Sequence, residues 1–144
     1  MKTIPRLFCL ILALLPLAAS ADLVVAVNAK SGVEKLSRDE VINIFLGRYR
    51  QLPSGITALP IDHPATQAER AIFYKQLVGK ELAEINAYWS RLVFSGKTTP
   101  PRQAASSQEV LDWLSTHKGA IGYIERSRLD ARFRPVLDLS GHSP

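Results

Sequence analysis

Leu23-Val24-Val25-Ala26-Val27, followed across a loop by Leu36-Ser37-Arg38-Asp39-Glu40-Val41-Ile42-Asn43-Ile44-Phe45-Leu46-Gly47, decides the fold class of this chain. The first stretch is continuously apolar and rich in β-branched residues. It reads as a strand buried on both faces, as in parallel sheets. The second switches to helical spacing. Ser37 with Glu40 three residues on has the form of a capping box, Leu36 can staple onto Val41, and Gly47 supplies a stop. A buried strand that feeds a capped helix is the opening unit of an α/β protein.

The same punctuation recurs downstream. Arg48 to Gly55 reads as a polar loop and Ile56 to Ile61 as a second strand. Thr66 with Glu69 has the spacing of another capping box, ahead of Ile72, Phe73, Leu77 and Val78, with Gly79 as the stop. A third helix is expected from Glu81 to Val93, where Leu82, Ile85, Trp89, Leu92 and Val93 fall at helical spacing. Pro100-Pro101 makes Ser95 to Ala105 a loop. Ser106 with Glu109 opens a fourth helix, which uses Val110, Trp113 and Leu114 and stops by Gly119. Ala120 to Ile124 reads as a buried strand, and Pro135 to Leu139, after a short helix, as an edge strand. Strands alternating with helices predict one α/β domain over residues 22–144, a mainly parallel sheet with helices on both faces.

The amino terminus has the three parts of a secretory leader. Lys2 and Arg6 carry positive charge, Leu7 to Ala18 is apolar, and Ala19-Ser20-Ala21 is a small-x-small cleavage site, which places the mature start at Asp22. The apolar run falls short of the roughly 20 residues that span a bilayer core. The single cysteine, Cys9, would leave with the leader, so the domain is expected outside the cytoplasm without a disulfide. Removing Lys2 and Arg6 lowers the formal charge from +5 to +3, which suits an anionic small ligand and does not point to nucleic acid. His63, His117 and His142 lack metal-ligand spacing, and neither a Gly-x-Ser-x-Gly elbow nor a phosphate-cradling or dinucleotide fingerprint occurs. The expectation is a binding protein without cofactor or metal, not an enzyme.

Two motifs carry a resemblance. Leu36 to Arg48 resembles the L-S-x-x-x-x-x-x-I-F-x-G-K stretch of phosphate-binding proteins of ABC transporters, and Gly119-Ala120-Ile121-Gly122-Tyr123-Ile124 is similar to that family's G-A-I-G-Y-V strand. Arg70 and Phe73 sit where its R-x-x-F helix face is expected. The resemblance implies a lobe of a type-2 periplasmic binding protein, a phosphate-like oxyanion as ligand and a membrane permease as partner. Residues 22–144 supply about one lobe of a family whose full proteins have two. Any site would then be open, or completed by a partner or by a second copy in a homodimer. The family's cradle, an Arg and then Ser-Gly-Thr at a helix start, falls here on His63, Gln67, Ala68 and Glu69. A Thr66–Glu69 capping box would fold the Glu69 carboxylate back to where the anion sits. Two like charges about 4 Å apart near a surface repel by roughly 4 kcal/mol before screening.

The candidate ligand-binding residues are therefore Lys30, Ser31 and Gly32, as a backbone nest at the end of the first strand, and His63, Thr66, Gln67 and Arg70 around the second helix start. His63 would replace the family's arginine, and Arg70 would offer a guanidinium fork. The function expected is periplasmic solute binding with weak or altered oxyanion recognition. The alternative is an accessory module docked on an envelope membrane protein, a permease or a sensor, through Arg126, Arg128, Arg132 and Arg134.

Overall fold

In the computed structural model, which describes residues 22–140, the order is β1 (Leu23–Asn28), α1 (Arg38–Phe45), β2 (Leu59–Asp62), α2 (Ala68–Val78), α3 (Leu82–Ser95), β3 (Arg102–Gln103), α4 (Ser107–Thr116), β4 (Ala120–Glu125) and β5 (Phe133–Asp138). A 3-10 turn, Arg126–Arg128, precedes β5. The expected leader, residues 1–21 with Cys9, lies outside the described residues.

The five strands form one sheet in the order β3-β2-β4-β1-β5. β2 runs parallel to both β3 and β4, while β1 runs antiparallel to both β4 and β5. Four strands thus point one way, as a mainly parallel sheet requires, and β1 alone runs against them. Its apolar run is consistent with either direction, because all six of its residues are buried by layers on both faces.

The alternation of side chains along β1 separates two cores. Leu23, Val25 and Val27 join Ile121 and Tyr123 of β4 under α1, α2 and α3, through Val41, Ile44, Phe45, Phe73, Leu77, Ile85 and Trp89. Val24 and Ala26 join Ile61, Ala120 and Ile124 under α4, through Val110, Leu111 and Leu114. Helices therefore cover both faces, three against one.

The first capping box is complete: Glu40 N donates to Ser37 Oγ at 3.1 Å, and Ser37 N donates to Glu40 Oε2 at 2.7 Å. α4 keeps the serine half of its box, with Glu109 N donating to Ser106 Oγ at 3.1 Å. The box expected at Thr66 does not form. Pro64 O accepts from Gln67 N at 3.0 Å, closing a turn that leaves Thr66 exposed and makes Gln67 the N-cap of α2. The helix begins one residue later than the motif requires, so Glu69 does not reach back to its start.

One element had no local signal, and another was expected at the sheet edge and lies there. β3 lies inside the stretch read as a loop and exists through its register with Ile61 and Asp62. β5 holds Pro135 beside the irregularity in its pairing with β1, where a missing amide donor is tolerated at a sheet edge. Gly119 marks a close approach at the start of β4. A Cβ there would lie 2.0 Å from Thr57 O, and Gly119 O accepts from Leu59 N at 2.8 Å.

Candidate functional site

β2 ends in Asp62, whose carboxylate is buried at 3% exposure, and four donors of the chain converge on it. Oδ1 accepts from the Tyr123 hydroxyl on β4 and from the His63 amide at 3.0 Å. Oδ2 accepts from the Tyr74 hydroxyl at 2.7 Å and from Arg70 Nε at 3.2 Å, both on α2. A carboxylate has about four acceptor positions, and here all are taken by the protein. That arrangement is what allows a charge to be buried at this strand end, since an unpaired one would cost several kcal/mol.

The two phenols are held as donors. Burial, followed by the negative charge of Asp62 and the hydrogen bond to it, pushes the Tyr74 and Tyr123 hydroxyls well above the ordinary tyrosine range. Their rings belong to the larger core: Tyr123 stacks on Phe73 at 3.8 Å and 6°, and Phe73 meets Phe45 edge-on at 4.8 Å. Aromatic packing therefore fixes where the hydroxyls point.

His63 follows Asp62 and is equally buried. Its Nε2–H donates to Tyr123 O at 2.7 Å, and its Nδ1 lies 3.3 Å from Ser107 Oγ at the start of α4. Ser107 sends its one proton to Gln67 Oε1 at 2.5 Å, away from the imidazole.

The predicted site residues divide into two places. His63, Gln67 and Arg70 gather at the carboxyl end of β2, with Thr66 exposed in the turn beside them. Lys30, Ser31 and Gly32 lie at the other end of the sheet. β1 runs backwards, so its last residue, Asn28, sits level with Ala120 and Leu59, a strand length of about 10 Å below Asp62. The loop's amides are also engaged: Lys30 N with Asn28 Oδ1 at 2.8 Å, Ser31 N with Asn28 O at 2.9 Å, and Val33 N with Ser31 Oγ at 3.2 Å.

Sequence reading missed Asp62, Tyr74, Tyr123 and Ser107 as members of the cluster. Asp62 and Tyr123 end up on paired strands, and that pairing is long-range.

Two spaces adjoin the cluster. A groove of about 940 Å³ is lined by Asp62, Arg70, Asn86, Trp89, Phe94 and Gln103, among others. Arg70 Nη2 faces Asn86 Oδ1 across 3.5 Å there. A small cavity of about 120 Å³ is lined by His63, Glu69, Ser107, Glu125 and Arg128, with Leu111 and Ile124. Among the described residues, no three His, Cys, Asp or Glu side chains converge as metal ligands, and no helix is long and apolar enough to cross a membrane.

The basic C-terminal stretch is largely paired. Arg126 binds Asp22 at 3.0 Å and Asp138 at 2.6 Å, Arg132 binds Asp130 at 2.8 Å, and Arg134 reaches Glu34 at 3.9 Å. Arg128 donates to Gln108 Oε1 at 3.1 Å.

No protein-family model matches the chain, and no curated protein matches it in sequence. Solved structures match it in fold. A protein from Clostridium perfringens, described as a phosphate ABC transporter substrate-binding protein and solved with bound phosphate, aligns with TM-score 0.64 at 14% identity, over 81% of this chain and 44% of its own. An ABC-type phosphate transport receptor from Vibrio cholerae aligns with TM-score 0.63 at 14% identity, over 81% and 45%. A protein from Planctomyces limnophilus, described as phosphate-binding, aligns with TM-score 0.59 at 13% identity, over 81% and 40%. The chain thus spans less than half the length of each. Its architecture matches a single lobe of the periplasmic binding protein fold, and these neighbours are binding proteins.

Proposed function

We propose that this chain is a periplasmic solute-binding-like lobe that has lost oxyanion binding and serves as an accessory module docked on an envelope membrane protein, a permease or a sensor. The observation that carries the reading is the saturation of Asp62. Two phenols, an amide and a guanidinium would make a good anion site, and they hold the chain's own carboxylate. Asp62 therefore stands where an oxyanion would otherwise find its donors. Glu69 and Glu125 line the adjoining small cavity and oppose a second anion there, against a single arginine, Arg128. Residues 1–21 act in this reading as the leader, and the exported chain begins at Asp22.

Titration calorimetry of the exported protein with inorganic phosphate and sulfate tests the reading. No heat is expected from the wild type at millimolar anion. Asp62→Gly, which removes the carboxylate and frees its space among the four donors, is expected to gain a measurable response. Micromolar phosphate binding by the wild type would overturn the reading.

A second reading, weak recognition of a small oxyanion by the lobe itself, is favoured by the outer edge of Arg70 with Asn86 in the large groove. It predicts millimolar binding that Arg70→Gln abolishes. If a homodimer completes the site, light scattering will show a mass that doubles with the anion present.

A further inference from the structure

The large hydrophobic side chains most exposed among the described residues are Tyr49 at 50%, Val93 at 53% and Phe94 at 96%. They are not scattered. Val93 and Tyr49 line the same groove of about 630 Å³, walled by Pro100 and Pro101, and Phe94 stands next to Val93 on the rim of the 940 Å³ groove. A ridge of apolar side chains thus rises between two concavities. Clustered exposed apolar surface of this kind marks a contact site, whereas single exposed residues do not.

The unpaired charge around the ridge has one sign, since Asp62 in the larger groove is paired with Arg70. No acidic residue lines the 630 Å³ groove, while Arg50 and Lys97 do, and Arg48 lies next to Tyr49. Among the described residues none of these three cations forms an ion pair, in contrast to Arg126, Arg132 and Arg134 at the C-terminal end. Arg48 donates to the neutral Asn43 Oδ1 at 3.3 Å and Arg50 to Lys97 O at 3.0 Å, so both keep their charge uncompensated. Glu40, which borders the neighbouring pocket, is turned back onto Ser37 N.

Gly47 holds the floor. Its φ of +76° and its approach to Trp89 and Thr98, where a Cβ would come within 2.9 Å and 2.7 Å, bring the 47–50 loop against the end of α3.

We infer that this face docks an acidic protein segment that carries a large apolar side chain. The apolar group packs against Val93, Phe94 and the Pro100–Pro101 wall, and carboxylates on either side reach Arg48, Arg50 and Lys97. Concavity favours a polypeptide over a bilayer, whose flat surface cannot fill two grooves. The inference rests on the docking-module reading and names the surface that reading uses. It replaces the paired C-terminal arginines with the unpaired Arg48, Arg50 and Lys97.

A peptide-display library of random sequence, panned on the exported protein, tests this. Selected peptides should be enriched in Asp and Glu flanking an aromatic or large aliphatic residue. Their affinity, read by fluorescence anisotropy, should fall about tenfold in Phe94→Ser, the order expected from losing one apolar anchor, and also in Lys97→Glu. Both sites are exposed, so folding is spared, and Lys118→Glu serves as the control that changes nothing.

Selected peptides without acidic enrichment would overturn the proposal. So would acidic peptides that bind Phe94→Ser and Lys97→Glu as well as the wild type, though that outcome leaves the docking-module reading standing with another surface. Retention on phosphatidylglycerol–phosphatidylcholine vesicles, lost in the same two variants while no peptide is selected, would assign the face to a membrane and overturn it too. Phosphate binding by the wild type, measured in parallel, is the separate result that removes the underlying reading.

Discussion

Tyr123 and Asp62 face each other across two paired parallel strands, and the phenol of one donates to the buried carboxylate of the other. The ring that carries this hydroxyl is clamped flat against Phe73, so the donor cannot turn away. A hydrogen bond of this kind, to a buried charge, is among the stronger ones in a protein.

Tyr123→Phe should therefore destabilise the fold by about 1–3 kcal/mol, because it keeps the packing and leaves one carboxylate position unfilled. Tyr74→Phe should cost a similar amount, and Tyr88→Phe less, since its bond is to the partly buried Leu46 O. Urea denaturation reads all three. Equal, near-zero effects for Tyr74 and Tyr123 would remove Asp62 as the organising charge.

The same burial makes an alkaline prediction. In the folded chain the Tyr74 and Tyr123 hydroxyls titrate above the ordinary range, so ionisation is favoured in the unfolded chain first. Their contribution to stability is complete below the unfolded value, near pH 10, and is lost as pH rises beyond it. Ultraviolet difference titration should show Tyr74 and Tyr123 silent until the protein unfolds.

At the acid end the sign reverses. The Ser140 hydroxyl and amide, with Arg126, lower the Asp138 carboxyl to about 2. Its ionised form is favoured by folding, so its contribution is full above the unfolded value, near pH 4, and is lost as pH falls toward 2. Asp138→Asn should flatten thermal stability across that window. The group is well exposed, so the effect should be small and should shrink further in salt.

The two capping serines and Thr66 should behave differently. Ser37→Ala and Ser106→Ala each remove an N-cap acceptor and should cost about 1 kcal/mol. Thr66→Ala should fall within about 0.5 kcal/mol of wild type, since that hydroxyl caps nothing. A full capping penalty at Thr66 would mean that α2 starts earlier than the Pro64–Gln67 turn allows.

The sequence by itself determined the helices and every strand but β3, where α1 and α4 begin, and that both faces of the sheet are covered. These follow from local causes: side-chain periodicity, serine acceptors three residues ahead of a glutamate amide, and glycines free to adopt positive φ. It did not determine which way β1 runs, because a strand buried on both faces looks the same in either direction. That single choice separated Lys30, Ser31 and Gly32 from His63 and Arg70. Nor could it reveal the convergence on Asp62, since residues 62, 70, 74 and 123 meet only when β2 pairs with β4 and α2 folds over them. Which charges remain unpaired was likewise decided by tertiary structure: ion pairing depends on distance in space, and among the described residues Arg126 met its acids while Arg48, Arg50 and Lys97 met none.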